Sequence, residues 1–217
     1  MEEKQIQDDL ASIRSLMERS SKFISLSGLS GILAGVYALI GAGVAYYVVY
    51  GSGNPRYYYE ITRSLNRREL QILETYPGEI GLLILVAVLV LLASLTTGFI
   101  LTSRKAKRKG QPIWGNTSRA LIFNMALPLV SGGLLIFILL LRNYYGIVSP
   151  ASLIFYGLAL VGASNYTFKD VRYLGICEIV LGLIAACLPG YGLLFWAIGF
   201  GVLHIIYGSM MYFKYDR

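Results

Sequence analysis

The chain has 217 residues, of which 56% are hydrophobic and 14% are charged, with 19 Lys and Arg against 12 Asp and Glu. An average soluble domain has a charged share of roughly 25%, so the composition excludes an ordinary soluble domain. The apolar residues form uncharged blocks such as 80–101. At about 1.5 Å per residue, such a block matches the bilayer core of about 30 Å. The sequence therefore predicts an all-α, polytopic membrane protein whose helices contact lipid.

Residues 1–22 precede the first apolar block and carry nine charges, which is not the pattern of a secretory signal peptide. Ile6, Leu10, Ile13 and Met17 recur at helical spacing, so the segment is predicted to be a cytoplasmic amphipathic helix. Its acidic and basic residues nearly balance, which argues against electrostatic docking on anionic lipid. We expect its apolar stripe to dock on this protein's own helices, on a second copy or on a cytoplasmic protein.

The rest of the chain is predicted to form a transmembrane domain of six spans arranged as three hairpins. The predicted spans are 23–50, 79–103, 117–142, 150–165, 170–188 and 192–213. A long Tyr-rich loop separates the first two spans, and its aromatic side chains are expected at the headgroup level on the outer side.

Residues typical of helix starts support several of these bounds. Asn116 and Asp170 precede the third and fifth spans as cap-type residues. Ser149 followed by Pro150 predicts an N-cap and a first helical residue for the fourth span. Pro128 lies inside the third span, where a missing backbone hydrogen bond predicts a kink.

The basic residues predict the orientation of the chain. A cytoplasmic N-terminus places 14 of the 19 Lys and Arg residues on the inner side. By the positive-inside rule, both termini are predicted to be cytoplasmic in a bacterial inner membrane. The basic run 103–110 directly follows the second span, so it is interpreted as a topology determinant and no nucleic-acid partner is expected.

A glycine pattern, G-x2-Z-I-x2-G, recurs at 28–35, 175–182 and 201–208, with Gly, Glu and His in turn at Z. Its first, fourth and eighth positions share one helical face, so each helix offers a smooth stripe to which another backbone can come close in lipid. The predicted helix-packing residues are Gly28, Gly31, Gly35, Gly175, Gly182, Gly201 and Gly208. We expect them to pack within the protein or against a second copy in a homo-oligomer.

The other two Z residues are Glu178, the only acidic residue well inside a predicted span, and His204, the only histidine. A charged group in the bilayer is costly enough that a facing partner is expected. Counted from the turn at Gly190, the two residues lie about 18 and 21 Å deep on antiparallel neighbours. We predict an intramembrane polar site in which they pair, either tying the hairpin together, which is favoured, or relaying protons.

Residues 173–208 contain, in order, G-I, E-I and L-G pairs, a turn containing proline, an apolar span and a final I-x-x-G, with an echo at 24–42. This order resembles the repeat unit of the HdeD-like family of small bacterial membrane proteins, which have six spans built as three hairpins. The family's association with acid-stress protection implies a stress-linked inner-membrane protein. It implies no catalytic residues.

An enzyme is not expected. The GAS sequence at 162–164 and His204 are similar in order to the serine and histidine of rhomboid intramembrane proteases, but Asn165 stands where that pattern has its second glycine. Two cysteines, one histidine and no close group of carboxylates are too few ligands for a metal site, so no metal or cofactor is expected.

The predicted function is therefore a non-enzymatic structural, stress-related or regulatory role in the membrane. The alternative is a small proton-linked transporter or channel that uses Glu178 and His204, and an intramembrane hydrolase is a remote third.

Overall fold

A computed structural model describes residues 27–50, 77–108, 110 and 114–216. The predicted amphipathic helix over residues 1–22 and the Tyr-rich loop lie outside the described residues. Within the described part of the chain, the regular structure is entirely helical. The prediction of an all-α fold is confirmed.

Six helices follow one another in the described residues, joined by short turns from α3 onwards. They are α1 (Gly28–Tyr50), α2 (Pro77–Arg108), α3 (Asn116–Leu141), α4 (Tyr145–Ala163), α5 (Val171–Cys187) and α6 (Gly192–Asp216). The last helix, α6, is α-helical at Gly192–Trp196 and His204–Met211, and it widens to π-helix at Ala197–Leu203 and Tyr212–Asp216.

Five of these helices, α1, α2, α3, α4 and α6, are long and apolar enough to cross a membrane. The helix over the predicted fifth span, α5, has 17 residues, which at about 1.5 Å per residue gives it a length of about 25 Å. The described residues thus contain five helices of membrane-spanning length, where six spans are predicted from the sequence.

Two predicted helix starts are wrong. Gly115 is the N-cap of α3, and Asn116 is already its first helical residue. The fourth helix begins at Tyr145 instead of at residue 150, so Pro150 lies inside α4. Pro128 lies inside α3, as predicted.

The Ser149 hydroxyl, predicted to cap α4, contacts a neighbouring helix instead. It donates a hydrogen bond of 2.6 Å to the carbonyl oxygen of Gly192, at the start of α6. The hydroxyl is therefore bonded to a neighbouring helix and does not cap its own, which begins at Tyr145.

The helices pack in a simple spatial order. The last helix, α6, lies between α1 on one side and α4 and α5 on the other, α2 packs on α1, and α3 packs on α4. The two outermost helices, α2 and α3, bury almost none of their apolar side chains within the chain. That exposure is compatible with lipid contact, because lipid removes these side chains from water without a protein partner.

Polar contacts tie together the start of α1 and the ends of α2 and α6. The Asp216 carboxylate accepts a hydrogen bond of 2.8 Å from the backbone N–H of Gly28 and is paired with the Lys105 ammonium. A carboxylate at a helix N-terminus also interacts favourably with the helix dipole.

A second group of polar contacts ties α5 to the end of α6. Asp170 is the N-cap residue of α5, as predicted, but its side chain makes no capping hydrogen bond. It accepts hydrogen bonds from Lys214 Nζ at 2.8 Å and from the Tyr215 hydroxyl at 2.9 Å. We call this end of the bundle, where α1 and α5 begin and α2, α4 and α6 end, the Asp170 end.

Candidate intramembrane polar site

Glu178 and His204 meet between α5 and α6. The Glu178 side chain is 0% exposed, the His204 side chain is 8% exposed, and His204 Nδ1 lies 3.4 Å from Glu178 Oε1. The structure therefore brings together the two polar residues that the sequence places at equal depth on antiparallel helices.

The hydrogen bonds of His204 fix its tautomer. Nδ1 lies 3.0 Å from the carbonyl oxygen of Gly199, and Nε2 lies 2.8 Å from the hydroxyl of Tyr156 on α4. A carbonyl oxygen can only accept, so Nδ1 carries the hydrogen and donates it. In the neutral ring Nε2 then accepts the hydrogen bond from Tyr156. This assignment follows from the partners of the ring.

The Glu178 carboxyl is the least compensated polar group in the described residues. Both of its oxygen atoms are buried and neither accepts a hydrogen bond. A carboxylate in such a place has a large desolvation cost, which is reduced if the carboxyl is protonated or if His204 becomes an imidazolium. A neutral carboxylic acid beside a neutral imidazole and a carboxylate beside an imidazolium both have no net charge. Each of these two forms holds one more proton than a carboxylate beside a neutral imidazole.

Gly199 provides the space for the Glu178 carboxyl. A Cβ at Gly199 would lie 2.5 Å from Glu178 Oε2 and 2.5 Å from Cδ2 of Leu153, a fully buried residue of α4. Gly199 lies in the π-helical stretch Ala197–Leu203, where its carbonyl oxygen also accepts from His204. A single glycine thus supplies both the room beside the carboxyl and the acceptor that orients the imidazole.

Aromatic rings cover the site on the side facing the α5–α6 turn. The ring of Phe200 lies 5.1 Å from that of Tyr156, 5.2 Å from that of Trp196 and 6.0 Å from that of His204, measured between centroids. Rings at these distances pack as in a protein core. The pair therefore lies in an apolar surround, which strengthens electrostatic interactions within it.

Two residues of the site are missed by sequence reasoning. Tyr156 is one of 17 tyrosines, and nothing in its local sequence distinguishes it from a tyrosine at a membrane interface. Gly199 lies two residues before Gly201 and outside the repeated glycine pattern. The sequence feature that could have identified Gly199 is its position five residues before His204.

The glycines of α1 face those of α6 at very short range. A Cβ at Gly31 would lie 3.1 Å from Cα of Gly208, and one at Gly35 would lie 2.6 Å from the carbonyl oxygen of Gly201. A Cβ at Gly28 would collide with the backbone of Tyr212. The two helix backbones approach each other so closely that there is no free space for a Cβ at these three glycines.

The glycines of α5 face a different helix. A Cβ at Gly175 would lie 2.7 Å from the carbonyl oxygen of Gly157, and one at Gly182 would lie 2.7 Å from Cγ1 of Ile154, both on α4. The second copy of the glycine pattern therefore contacts α4, and Gly157 is a partner that the pattern does not include.

Ser164 does not contact His204. Its hydroxyl donates to the carbonyl oxygen of Val161 at 2.7 Å and lies 3.4 Å from Nε of Arg172, at the Asp170 end. His204 has both ring nitrogens bonded to Gly199 and Tyr156. Ser164 and His204 therefore do not form the hydrogen-bonded nucleophile and base pair of a serine hydrolase in this structure.

Other chemically reactive groups of the described residues are separate from this site. Cys177 and Cys187 are free thiols on the outside of the bundle. The residues that the structure describes contain no group of three His, Cys, Asp or Glu side chains that could hold a metal ion. At the Asp170 end, the Lys214 ammonium holds the pKa of the Asp170 carboxyl below its usual value, and the Tyr215 hydroxyl lowers it further.

Comparisons of the chain with protein-family models, with curated proteins and with solved structures found no match. The class of protein is therefore defined by the structure itself. It is an all-helical protein with five apolar helices of membrane-spanning length, and a carboxyl and an imidazole are buried together between two of its helices.

Proposed function

We propose that this protein is a non-enzymatic integral membrane protein with a regulatory or stress-related role, and that it responds to uptake of one proton by the Glu178–His204 pair. The observation that carries the proposal is the Glu178 carboxyl, which is fully buried, accepts no hydrogen bond and lies 3.4 Å from His204 Nδ1. Ionisable residues inside membrane segments are costly and commonly mark functional sites. A stress-linked role is also what the resemblance to the HdeD-like family implies.

Protonation can be followed directly, because His204 is the only histidine of the chain. In protein labelled with ¹⁵N-histidine and carrying no polyhistidine tag, we expect the two ring-nitrogen signals to change together over one pH titration in liposomes. Below the transition, the proton taken up by the pair changes the tautomer or the charge of the ring. The measurement is solid-state NMR of the full-length chain.

Glu178→Gln is the matched variant for this titration, since it keeps the shape of the side chain and removes its titration. We expect the transition to shift by more than one pH unit or to disappear in this variant. Identical titrations in the wild type and the variant, or ring signals that stay constant across the pH range, would count against the proposal.

The alternative function is a small proton-linked transporter or channel, which would use the same two residues. It is favoured by the carboxyl and the imidazole being within reach of each other, as in proton relays of membrane proteins. Proton flux in liposomes under an imposed pH gradient separates the two functions. Flux that Glu178→Gln abolishes would support transport, whereas a titrating site without flux supports regulation.

We also propose six spans with both termini in the cytoplasm of a bacterial inner membrane. The support is that α5 runs antiparallel to both α4 and α6, so it takes the chain from the Asp170 end to the opposite end and α6 returns it. Lys105, Arg172 and Lys214 all lie at that end, as the positive-inside rule requires of a cytoplasmic face.

The orientation predicts a labelling pattern in intact cells. In a background without Cys177 and Cys187, a membrane-impermeant thiol reagent should modify Ser64→Cys in the loop before α2, because that loop is predicted to lie outside. It should not modify Ser103→Cys near the end of α2. Permeabilised cells, in which both should react, provide the control, and the reverse pattern in intact cells would invert the topology.

The glycine faces are proposed to serve folding of the single chain. The support is that Gly28, Gly31 and Gly35 contact α6, and Gly175 and Gly182 contact α4. A homo-oligomer or a complex with a cytoplasmic protein is then proposed to form through residues 1–22, whose predicted apolar stripe calls for a protein surface.

A further inference from the structure

We infer that the Asp170 end of the bundle binds one molecule of an anionic phospholipid, with its phosphate at Lys169 and Lys214 and an acyl chain beside the end of α6. The inference goes beyond the proposed function, because it does not depend on Glu178 or His204. It assigns a ligand of stated chemistry to a cleft that the polar site does not use.

Two cavities adjoin at the ion pair between Asp170 and Lys214. The first, called the polar cavity, has a volume of about 410 Å³, lies between the α4–α5 turn and the end of α6, and is also lined by Lys169 and Tyr173. The second, called the apolar cavity, has the same volume of about 410 Å³ and follows the last turns of α6. Its other lining residues are Tyr207, Met210, Met211 and Phe213. Because Asp170 and Lys214 line both cavities, the cleft has a charged part next to an apolar part.

The apolar cavity extends from the membrane boundary towards the bilayer core. Asp216 is the last residue of α6, and Met210 lies six positions before it, which at 1.5 Å per residue is about 9 Å further in. Met210 is 61% exposed and Phe213 is 62% exposed, so the apolar cavity is open towards lipid. The exposed ring of Tyr173 marks the boundary, since tyrosines are enriched at the headgroup level. The cleft thus matches a headgroup followed by the first part of an acyl chain.

The lining of the polar cavity carries a net positive charge. Lys169 is exposed and forms no ion pair within the part of the chain that the structure describes. The Lys214 ammonium has three N–H donors, and the Asp170 carboxylate accepts one of them at 2.8 Å. One carboxylate beside two ammonium groups leaves one positive charge, which the single negative charge of a phosphodiester would neutralise. Hydrogen bonds between ammonium groups and phosphate oxygens are also among the strong ones.

The surrounding surface favours an anionic lipid over a zwitterionic one. Among the described residues at this end, the acidic side chains are Asp170 and Asp216, and each is already paired with a lysine. The basic side chains there that have no acidic partner in the described residues are Arg104, Lys107, Arg108, Arg119, Lys169 and Arg172. Basic pockets between membrane helices bind anionic headgroups on the cytoplasmic side, which is where the proposed orientation places this end.

The test is native mass spectrometry of the full-length protein in detergent, in which each bound lipid is resolved as a separate mass. The probes are phosphatidylglycerol and phosphatidylcholine with identical oleoyl chains, and glycerol phosphate, which has a phosphate but no chain. We expect the first phosphatidylglycerol to bind more tightly than phosphatidylcholine by about tenfold or more. Glycerol phosphate should bind more weakly than phosphatidylglycerol, because it does not reach the apolar cavity.

Lys169→Gln should weaken the binding of the first phosphatidylglycerol by about fivefold, because it removes one of the two ammonium groups at the phosphate. The Lys169 side chain forms no ion pair in the described residues, so its loss should leave the fold intact. Lys169→Arg keeps the charge and should restore most of the affinity. The matched control is Lys107→Gln, which removes the same charge from the same end. Since Lys107 lines neither cavity, this variant should bind the lipid as the wild type does.

Equal affinities for the two lipids would overturn the inference, because the apolar cavity alone would then account for binding. Equal losses in Lys169→Gln and Lys107→Gln would overturn it as well, since the lipid would then respond to the charge of the whole surface instead of to the cleft. Glycerol phosphate that binds as tightly as phosphatidylglycerol would make a free phosphate compound the ligand and would overturn the assignment of a lipid.

Discussion

Gly35→Ala should destabilise the folded protein by about 1 to 3 kcal/mol, as expected for overpacking of a tight contact. The new Cβ would lie 2.6 Å from the carbonyl oxygen of Gly201 and 3.0 Å from the backbone nitrogen of Ile205. These are backbone atoms of α6, which cannot rotate away as a side chain can. The variant therefore has to separate α1 from α6, and we expect Gly35→Leu to prevent their association altogether.

Gly43→Ala on the same helix is the matched control. A Cβ at Gly43 would meet nothing within 4 Å, and alanine is favoured over glycine in a helix by about 1 kcal/mol. We expect this variant to be as stable as the wild type or slightly more stable. Thermal unfolding in detergent measures the stability of each purified variant relative to the wild type. Equal melting temperatures for Gly35→Ala and Gly43→Ala would contradict the close contact between α1 and α6.

The sequence predicts which face of each helix is smooth, but not which helix it meets. The spacing of Gly28, Gly31 and Gly35 follows from helical periodicity alone. Their contact with α6, and that of Gly175 with α4, depend on how six helices share one bundle. The short turns fix which helices can be neighbours, and several arrangements satisfy that condition.

The depth of Glu178 and His204 could be predicted because a tight turn joins their helices and the rise per residue is constant. The place of Tyr156 in the site could not be predicted, since α4 is joined to α5 by a different turn and the rotation of α4 about its axis is decided by packing. The place of Gly199 could not be predicted either, because a π-helical stretch shifts residues relative to the regular 3.6-residue period. The missed residues are thus the ones whose positions depend on tertiary contacts.

Gly199→Ala should destabilise the protein by about 1 to 3 kcal/mol, because its Cβ would occupy the space of the Glu178 carboxyl. The nearest atoms would be Glu178 Oε2 and Leu153 Cδ2, each at 2.5 Å. Glu178→Ala removes the first of these atoms and a buried carboxyl that accepts no hydrogen bond. In the double variant the two changes are therefore expected to compensate each other in part.

The size of this compensation is the measurement that tests the site. A double-mutant cycle of unfolding free energies should give a favourable coupling of about 0.5 to 3 kcal/mol between Gly199→Ala and Glu178→Ala, the range found for residues in contact. The double variant should recover only part of the stability lost in Gly199→Ala, because the Leu153 methyl group still limits the space for the new Cβ. The control is Gly133→Ala with Glu178→Ala, which should be additive because nothing lies within 4 Å of a Cβ at Gly133. Additive effects of Gly199→Ala and Glu178→Ala would mean that the carboxyl does not occupy the space beside Gly199.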